Sequence, residues 1–325
     1  MQNTLITGAY GFVGTNLSNH LKGNHTLWGL DVSQQPSDAY SHYYSWNELE
    51  TLPWDNIDTV IHLAGKAHDT KNQSDAQSYF DINTGLTQKI FDYFLQSKAK
   101  QFIFFSSVKA AADVVEGDFL TEDVIPKPVG PYGESKIRAE EYIQLKMENS
   151  LSTFNSQLST EKRVYILRPC MIHGPGNKGN LNLLYNVVKR NIPYPLGAFD
   201  NKRSFLNVWN LSHIIEQIII KSPDSGIYHL ADDDPVSTNT LIRFIAESQG
   251  KKAKIWKWNK SFINCAAKVG DICKLPINSE RLQKLTENYV VSNNKIKNAI
   301  GIAQLPVKAD EGFMRTLKSF KNDNN

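Results

Sequence analysis

With 325 residues, 41% of them apolar and 21% charged, the chain is long enough to bury two sizeable cores. Its 36 lysines and arginines against 33 aspartates and glutamates leave a formal charge of +3 without a long basic run, so nothing points to nucleic acid as a partner. Cys170, Cys265 and Cys273 form no CxxC pair and make an odd count, as expected of reduced thiols in the cytoplasm, and no metal-ligand spacing occurs.

Met1-Gln2-Asn3 leads directly into the first predicted strand, Thr4-Leu5-Ile6-Thr7, so no signal peptide is expected. The chain then turns through Gly8-Ala9-Tyr10-Gly11-Phe12-Val13-Gly14 into a helix carrying Phe12, Leu17 and Leu21 at helical spacing. A strand, a glycine turn and a helix start gather unpaired N–H groups and a positive dipole end at one point, which suits a diphosphate. Gly8 can supply the tight turn, Gly11 the close approach of backbone to phosphate, and Gly14 close packing of helix on strand. The spacing is G-x-x-G-x-x-G, a variant of the dinucleotide fingerprint. The next strand, Thr26 to Leu30, ends in Asp31, on the order of 20 residues past the turn. A carboxylate there accepts hydrogen bonds from ribose hydroxyls and repels a 2′-phosphate, which favours NAD over NADP.

Strand Thr59 to Ala64 ends in the small residues Ala64 and Gly65, where backbone can approach a ligand. A long amphipathic helix is predicted from Ser78 to Lys98, then strand Gln101 to Phe105, ending in Ser106-Ser107. The run Pro131-Tyr132-Gly133-Glu134-Ser135-Lys136 follows a Pro- and Gly-containing loop and reads as a helix. Residues four apart share a helix face, which sets the Lys136 ammonium beside the Tyr132 phenol. A neighbouring cation favours a phenolate, and so brings a group with an ordinary pKa of about 10 toward the working range of a base. Segment Asn149 to Lys162 is polar and Ser-rich and reads as a surface excursion, and Arg163 to Arg168 is one more strand, stopped by Pro169.

Short strands at Arg203 to Val208 and Gly226 to Leu230, and helices at Thr238 to Gln249 and Ser279 to Thr286, make the remainder a smaller lobe. The apolar stretch from Phe262 to Cys273 is too short and too interrupted by charge to span a bilayer. It is expected to cover an apolar surface of that lobe, with contact to a membrane the lesser alternative. Alternating strands and helices predict an α/β fold: a Rossmann-type doubly wound parallel sheet with a smaller C-terminal α+β substrate-binding lobe. The expected division is residues 1–169 and 170–325, some segments of the second part returning to the sheet. Gly8 to Gly14, Asp31, Ala64-Gly65 and Ser107 all fall just after a strand, where ligands of such sheets bind.

With Ser107, Tyr132 and Lys136 in place, the chain resembles the extended short-chain dehydrogenase/reductases, and among them the nucleotide-sugar epimerase/dehydratase family. The motifs that carry the likeness span nearly the whole chain: Gly8 to Gly14, His62-Leu63-Ala64, Asn83-Thr84, Ser106-Ser107, Tyr132 to Lys136, Arg168-Pro169 and Arg203 to Leu211. The resemblance implies NAD held by Gly8, Gly11, Phe12, Val13, Gly14, Asp31, Leu63, Ala64, Gly65, Tyr132, Lys136 and Pro169. It implies Tyr132 as acid/base at the sugar 4-hydroxyl, Lys136 on the nicotinamide ribose, Ser107 on the same sugar oxygen, and Asn83 as a support of the active-site geometry. Asn180 and Leu181 after Gly174-Pro175-Gly176 match the nucleotide-contacting helix start, Arg203 the arginine on the substrate diphosphate, and Arg281 is a second phosphate candidate. Two departures stand out: His173 replaces the usual Tyr before Gly-Pro-Gly and is expected to be structural, and Lys109 stands where a small or polar residue is common.

Dehydratases of the family carry an acid/base pair directly after the catalytic hydroxyl residue; here Val108-Lys109 offer no carboxylate. The implied reaction is 4-epimerisation of a UDP-hexose or UDP-N-acetylhexosamine through a transient 4-keto sugar. The alternative is NAD(P)H-dependent reduction of a UDP-4-keto-6-deoxy sugar in surface polysaccharide synthesis. A homodimer in the cytoplasm, with no nucleic-acid or membrane partner, completes the expectation.

Overall fold

The computed structural model describes residues 1–32, 34–35, 37–66, 75–152, 162–177, 179–273 and 278–322. Seven strands, β1 (Gln2–Thr7), β2 (His25–Asp31), β3 (His42–Ser45), β4 (Thr59–His62), β5 (Gln101–Phe105), β6 (Arg163–Pro169) and a last strand Gly226–Leu230, form one sheet. Every pairing in it is parallel. In the order β3-β2-β1-β4-β5-β6 followed by Gly226–Leu230, the chain reverses direction across the sheet between β1 and β4, which opens the crevice where such folds bind ligands.

The strands sit on both layers of core at once. Leu5, Val60, Phe102, Phe104, Val164 and Ile166 belong to one buried cluster, while their neighbours Ile6, Ile61, Ile103, Tyr165 and Leu167 belong to the other. Successive strand residues point to opposite faces, so near-continuous apolar runs are what a sheet covered on both sides requires. α1 (Phe12–Leu21) lies over one face; α2 (Ala76–Tyr79), α3 (Thr87–Gln96), α4 (Val108–Ala111) and α5 (Gly130–Ser152) follow in chain order. The first face is shared with the helix Val208–Lys221, which supplies Leu211, Ile214, Ile215 and Ile218, and the second with α3 and α5.

β7 (Met171–His173) pairs in parallel with β8 (Phe205–Asn207), and the other elements of this half are, in chain order, α6 (Asn180–Lys189), α7 (Val208–Lys221), β9 (Gly226–Leu230, the sheet strand above), α8 (Thr238–Ser248), α9 (Lys260–Cys273), α10 (Ser279–Thr286), α11 (Asn294–Ala299) and α12 (Ala309–Asn322). Leu181, Tyr185, Phe205, Ile242, Ile245, Phe313 and Leu317 form the core of this part. The α/β architecture agrees with the sequence reading.

Three local expectations are corrected. The helix predicted from Ser78 to Lys98 is not uniform: a π-helical segment, Phe80–Leu86, separates α2 from α3. Of the segment read as a surface excursion, Asn149 to Ser152 continue α5, residues 153–161 lie outside the described residues, and Lys162 is buried. Its ammonium donates to the carbonyls of Phe94, Ser97 and Ala99, which gather at the C-terminal end of α3. The strand expected over Arg203 to Val208 is confined to β8, because Asn207 caps α7 through its side chain and Arg203 pairs instead with Val236 and Tyr289.

Candidate active site

At the end of β1 the chain turns at Gly8, whose φ of +69° is open to glycine, and Gly8 donates its N–H to Leu30 O at 2.9 Å. A Cβ there would come within 2.8 Å of the Ala64 nitrogen, so glycine is what lets the ends of β1 and β4 lie side by side. At Gly14 a Cβ would lie 2.3 Å from Gly8 O, and the helix presses on the turn only because none is present. Gly11 starts α1 without a side-chain cap, and no acidic residue occupies the first turn. The leading N–H groups, those of Phe12 and Val13 among them, therefore form a positive helix end of the kind that receives an anion.

The Asp31 carboxylate hangs over this turn: Oδ2 accepts from Tyr10 N at 2.8 Å and Oδ1 from Val32 N at 2.7 Å. Each oxygen keeps a lone pair for a hydroxyl donor. Tyr10 packs against Tyr40 and Tyr43, which gives this end an aromatic wall.

On the β4 side, Leu63 N donates to Thr7 O at 3.1 Å and Ala64 N to Thr7 Oγ1 at 3.2 Å. Thr7 Oγ1, already an acceptor, gives its proton to His62 Nδ1 at 2.6 Å, so His62 Nε2 carries the hydrogen toward Thr87 Oγ1 at 2.9 Å. Thr87 in turn donates to Asn83 O at 2.7 Å. Burial pushes the His62 pKa down to about 3, with Lys136 adding to the drop, so this bridge stays neutral. Asn83 stands in the π-helical segment, fully buried, and donates to Lys66 O and to Ser135 Oγ while accepting from Lys66 N. Ser135 donates to Tyr132 O, and Thr84 Oγ1 to Ser135 O. A hydrogen-bonded chain thus runs from the glycine turn to the first turn of α5.

Tyr132 and Lys136 share one face of α5. Gly133 lets that helix reach α4, since a Cβ there would be 2.5 Å from Lys109 O. Ser107, buried at the N-cap of α4, accepts from Lys109 N and shares a hydrogen bond with the Tyr132 phenol. The end of β5 and the start of α5 are therefore brought together, as the sequence reading requires. Lys136 Nζ donates to Phe105 O at 2.7 Å, lies 5.0 Å from the centre of the Phe104 ring, and would sit 3.0 Å from a Cβ at Gly65.

The electrostatics differ from the expectation that Lys136 brings the phenol down. Burial is the largest influence on Tyr132 and holds its pKa above the ordinary value, although the residue as a whole is partly open to solvent. The Ser107 hydrogen bond opposes that rise and Tyr79, packed edge-on at 6.4 Å, adds to it. Burial pushes the Lys136 ammonium down to about 8, with Glu140 pulling the other way.

Glu140 was not singled out from the sequence, yet it is one turn beyond Lys136 on the same face. Arg168 donates to it three times, Nε at 3.0 and 3.1 Å and Nη2 at 2.6 Å, and Ser106 Oγ donates to it as well. Both charged side chains are essentially inaccessible, at 1% and 0%. The pair bolts α5 to the ends of β5 and β6, next to Pro169, which closes β6 opposite Leu230. The signal was the i, i+4, i+8 series Tyr132, Lys136, Glu140.

Arg203 stands across from this group. Tyr289 pairs with its backbone and donates to Ala112 O at 2.8 Å, so Arg203 lies near the segment that follows Ser107. Burial lowers its pKa while Glu287, Tyr289 and Asp113 raise it. Lys109 turns to Asp113 at 2.7 Å and over the Tyr289 ring. Leu181 is a core residue, so a ligand meets only its backbone. The side chains of Asn180 and Arg281 lie outside the described residues. His173 is buried, stacked on Phe313 at 4.1 Å and bonded to Thr316, a structural setting.

Residues 4–231 match the family described as "NAD dependent epimerase/dehydratase family". The chain is a member of that family. NAD is the family's cofactor, and the open helix end, Asp31 and the Gly65–Lys136 contact fit it. UDP-glucose 4-epimerase of Vibrio cholerae is 30% identical over 338 aligned positions, covering 100% of this chain and 97% of that protein. An N-acetyl-alpha-D-glucosaminyl-diphospho-ditrans,octacis-undecaprenol 4-epimerase of Escherichia coli O157:H7 is 27% identical, covering 77% of this chain and 73% of that protein. In fold, a UDP-glucuronic acid 4-epimerase from Bacillus cereus solved with NAD superposes with a TM-score of 0.75 at 17% identity, covering 100% of each chain. Among the described residues no helix is long and apolar enough to cross a membrane.

Proposed function

We propose that this enzyme is a 4-epimerase of a UDP-linked hexose or N-acetylhexosamine, acting through a 4-keto sugar. The observation that carries the reading is the meeting of Ser107 and Tyr132 at one hydrogen bond, with the Lys136 ammonium one helical turn away against Gly65. The full-length likeness to a UDP-glucose 4-epimerase supports the reaction class.

In this reading the backbone of Gly8, Gly11, Phe12, Val13 and Gly14 holds the cofactor diphosphate, Asp31 its adenosine ribose, and Leu63, Ala64, Gly65, Lys136 and Pro169 the nicotinamide end. NAD, when bound, supplies reversible hydride acceptance from sugar carbon 4. Ser107 orients the 4-oxygen, and Tyr132 Oη removes its proton during oxidation and returns one during reduction. Lys136, kept as a cation by Glu140 against the pull of burial, favours the phenolate at that moment. Asp31 favours NAD over NADP. Arg203, with the start of α6 at Asn180 and Leu181 and with Arg281, holds the substrate diphosphate while the sugar presents its other face. Lys109 is tied to Asp113, and neither Val108 nor Lys109 offers the carboxylate that dehydration needs. Residues 1–169 then carry cofactor and chemistry, residues 170–325 mainly the nucleotide sugar, and the resemblance supports a homodimer.

Purified protein incubated with UDP-glucose, UDP-galactose and their N-acetyl forms, without added cofactor, tests this by chromatography of the UDP-sugars. Interconversion is the expected result. Turnover confined to 4-keto sugars, and only with added NADH, overturns the epimerase in favour of the one-way reductase.

A further inference from the structure

One surface of the C-terminal part carries none of the residues assigned above to cofactor or substrate. Between Glu247 and Asp271 the chain carries Lys251, Lys252, Lys254, Lys257, Lys260 and Lys268 and no acidic residue, and all six lysines are exposed. Residues 254–257 form an extended strip beside residues 194–197: Tyr194 N donates to Lys254 O, Trp256 N to Tyr194 O and Gly197 N to Trp256 O. Ile255 packs against the lobe core, so its alternate neighbours Lys254 and Trp256 face outward. Trp256 stacks on Trp258 with ring centres 6.1 Å apart, and Trp258 meets Phe262 edge-on at 5.9 Å. These three rings remain 50%, 45% and 62% exposed.

The helix α9 continues the same surface. Among its described side chains only Ile263 and Ala267 are buried, packed with Leu282, Leu196 and Phe199, while Phe262, Cys265, Ala266 and Val269 are left outside. Asp271, at the far end, is occupied by Ser279. Among the described residues none of the six lysines has a carboxylate partner. Lys251 reaches Lys189 O and so joins exposed Lys189, Arg190 and Ile192 to the patch.

We propose that this face, from Lys251 to Val269 with Lys189 to Ile192, docks on an anionic lipid bilayer surface. Tryptophan and phenylalanine rings held outward match the amphipathic boundary between headgroups and acyl chains, and an uncompensated row of lysines around them matches negative headgroups. An apolar partner alone would leave the lysines without counter-charge, and a polyanion alone would leave the rings without cover. The proposal departs from the expectation of no membrane partner, which rested on the absence of a spanning segment.

The test mixes the full chain with vesicles of phosphatidylcholine containing phosphatidylglycerol, and with vesicles of phosphatidylcholine alone, and pellets them. The protein is expected to pellet with the anionic vesicles and to be released by salt. Lipids brominated near the headgroup boundary are expected to quench its tryptophan fluorescence. Replacing Lys254, Lys257 and Lys268 with Ser should lower the partition by about two orders of magnitude, each lysine near such a surface contributing roughly fivefold. Trp258→Ser with Phe262→Ser should remove most of the quenching, and circular dichroism melting checks that both variants fold. If they do not, quenching of the wild-type protein still decides. No pelleting, equal pelleting with neutral vesicles, undiminished binding by the lysine variant, or a dimer mass that this patch controls each overturns the proposal. None of these readouts involves turnover, so their failure leaves the epimerase reading where it stands.

Discussion

Glu140→Leu gives the sharpest test of how the catalytic helix is held. In the wild type, Arg168 and Glu140 are only 1% and 0% exposed and are joined by three hydrogen bonds of 2.6 to 3.1 Å. Leucine fills similar volume but strands the guanidinium, whose Nη1 already has no partner, and removes the acceptor of Ser106 Oγ. Breaking one side of a buried pair costs about 3–5 kcal/mol, and the loss for the serine hydroxyl is about 1 kcal/mol or more. A loss of that size lowers the melting temperature by on the order of 10 °C. Replacing both partners, Glu140→Leu with Arg168→Met, should recover most of it, because neither desolvated charge then remains. Urea unfolding followed by circular dichroism measures both variants. A single variant within about 0.5 kcal/mol of wild type, or a double variant as unstable as the single one, refutes the argument. The electrostatic consequence is separate: without the Glu140 charge the Lys136 ammonium loses the one influence that raises its pKa. Residual activity should therefore shift its optimum toward lower pH.

Tyr132→Phe keeps the ring and its edge contact with Tyr79 but removes the proton carrier, so kcat should fall by about 10²- to 10⁴-fold with melting behaviour retained. Gly65→Ala puts a Cβ within 2.9 Å of Asn83 Oδ1 and 3.0 Å of Lys136 Nζ, which displaces the ammonium; steady-state kinetics should show kcat falling more than any loss of folded protein seen by circular dichroism. Lys136→Met tests linkage. Folding lowers the Lys136 pKa from 10.5 to about 8, so between those values the unfolded chain binds more protons than the folded one. Wild-type stability against urea should gain from this group as pH rises from about 8 toward 10, and the variant should lose that gain while being inactive.

The sheet was legible because a strand buried on both faces must be apolar at every position, as Gln101-Phe102-Ile103-Phe104-Phe105 nearly is. The glycine turn was legible for a similar reason: at Gly8 and Gly14 the backbone leaves no room for a methyl group, so the residue type records the contact. The π-helical segment left no such record. Phe80, Ile82 and Leu86 satisfy an ordinary helix about as well, and the extra residue per turn is set by Asn83 and Thr84 reaching Ser135 from another element. Lys162 was misplaced because a polar neighbourhood in sequence says nothing of three carbonyls waiting at the end of α3.

Charge state was the least legible property of the site. Helical spacing puts Lys136 near Tyr132 but leaves out desolvation, which acts on the two groups in opposite directions, raising the phenol and lowering the ammonium. Each shift disfavours the charged form, so the two groups work as base and cation only if something restores the lysine charge. Within the chain that role falls to Glu140, and Glu140 is in turn neutralised by Arg168 and bonded by Ser106. The sequence Tyr132, Lys136, Glu140, Arg168 is thus a ladder of alternating demands, in which the buried arginine limits how strongly the glutamate can support the lysine. Arg168→Met should therefore release Glu140 to raise the Lys136 pKa. A titration of Lys136 reactivity toward an amine reagent that moved to lower pH in Arg168→Met would refute that ordering.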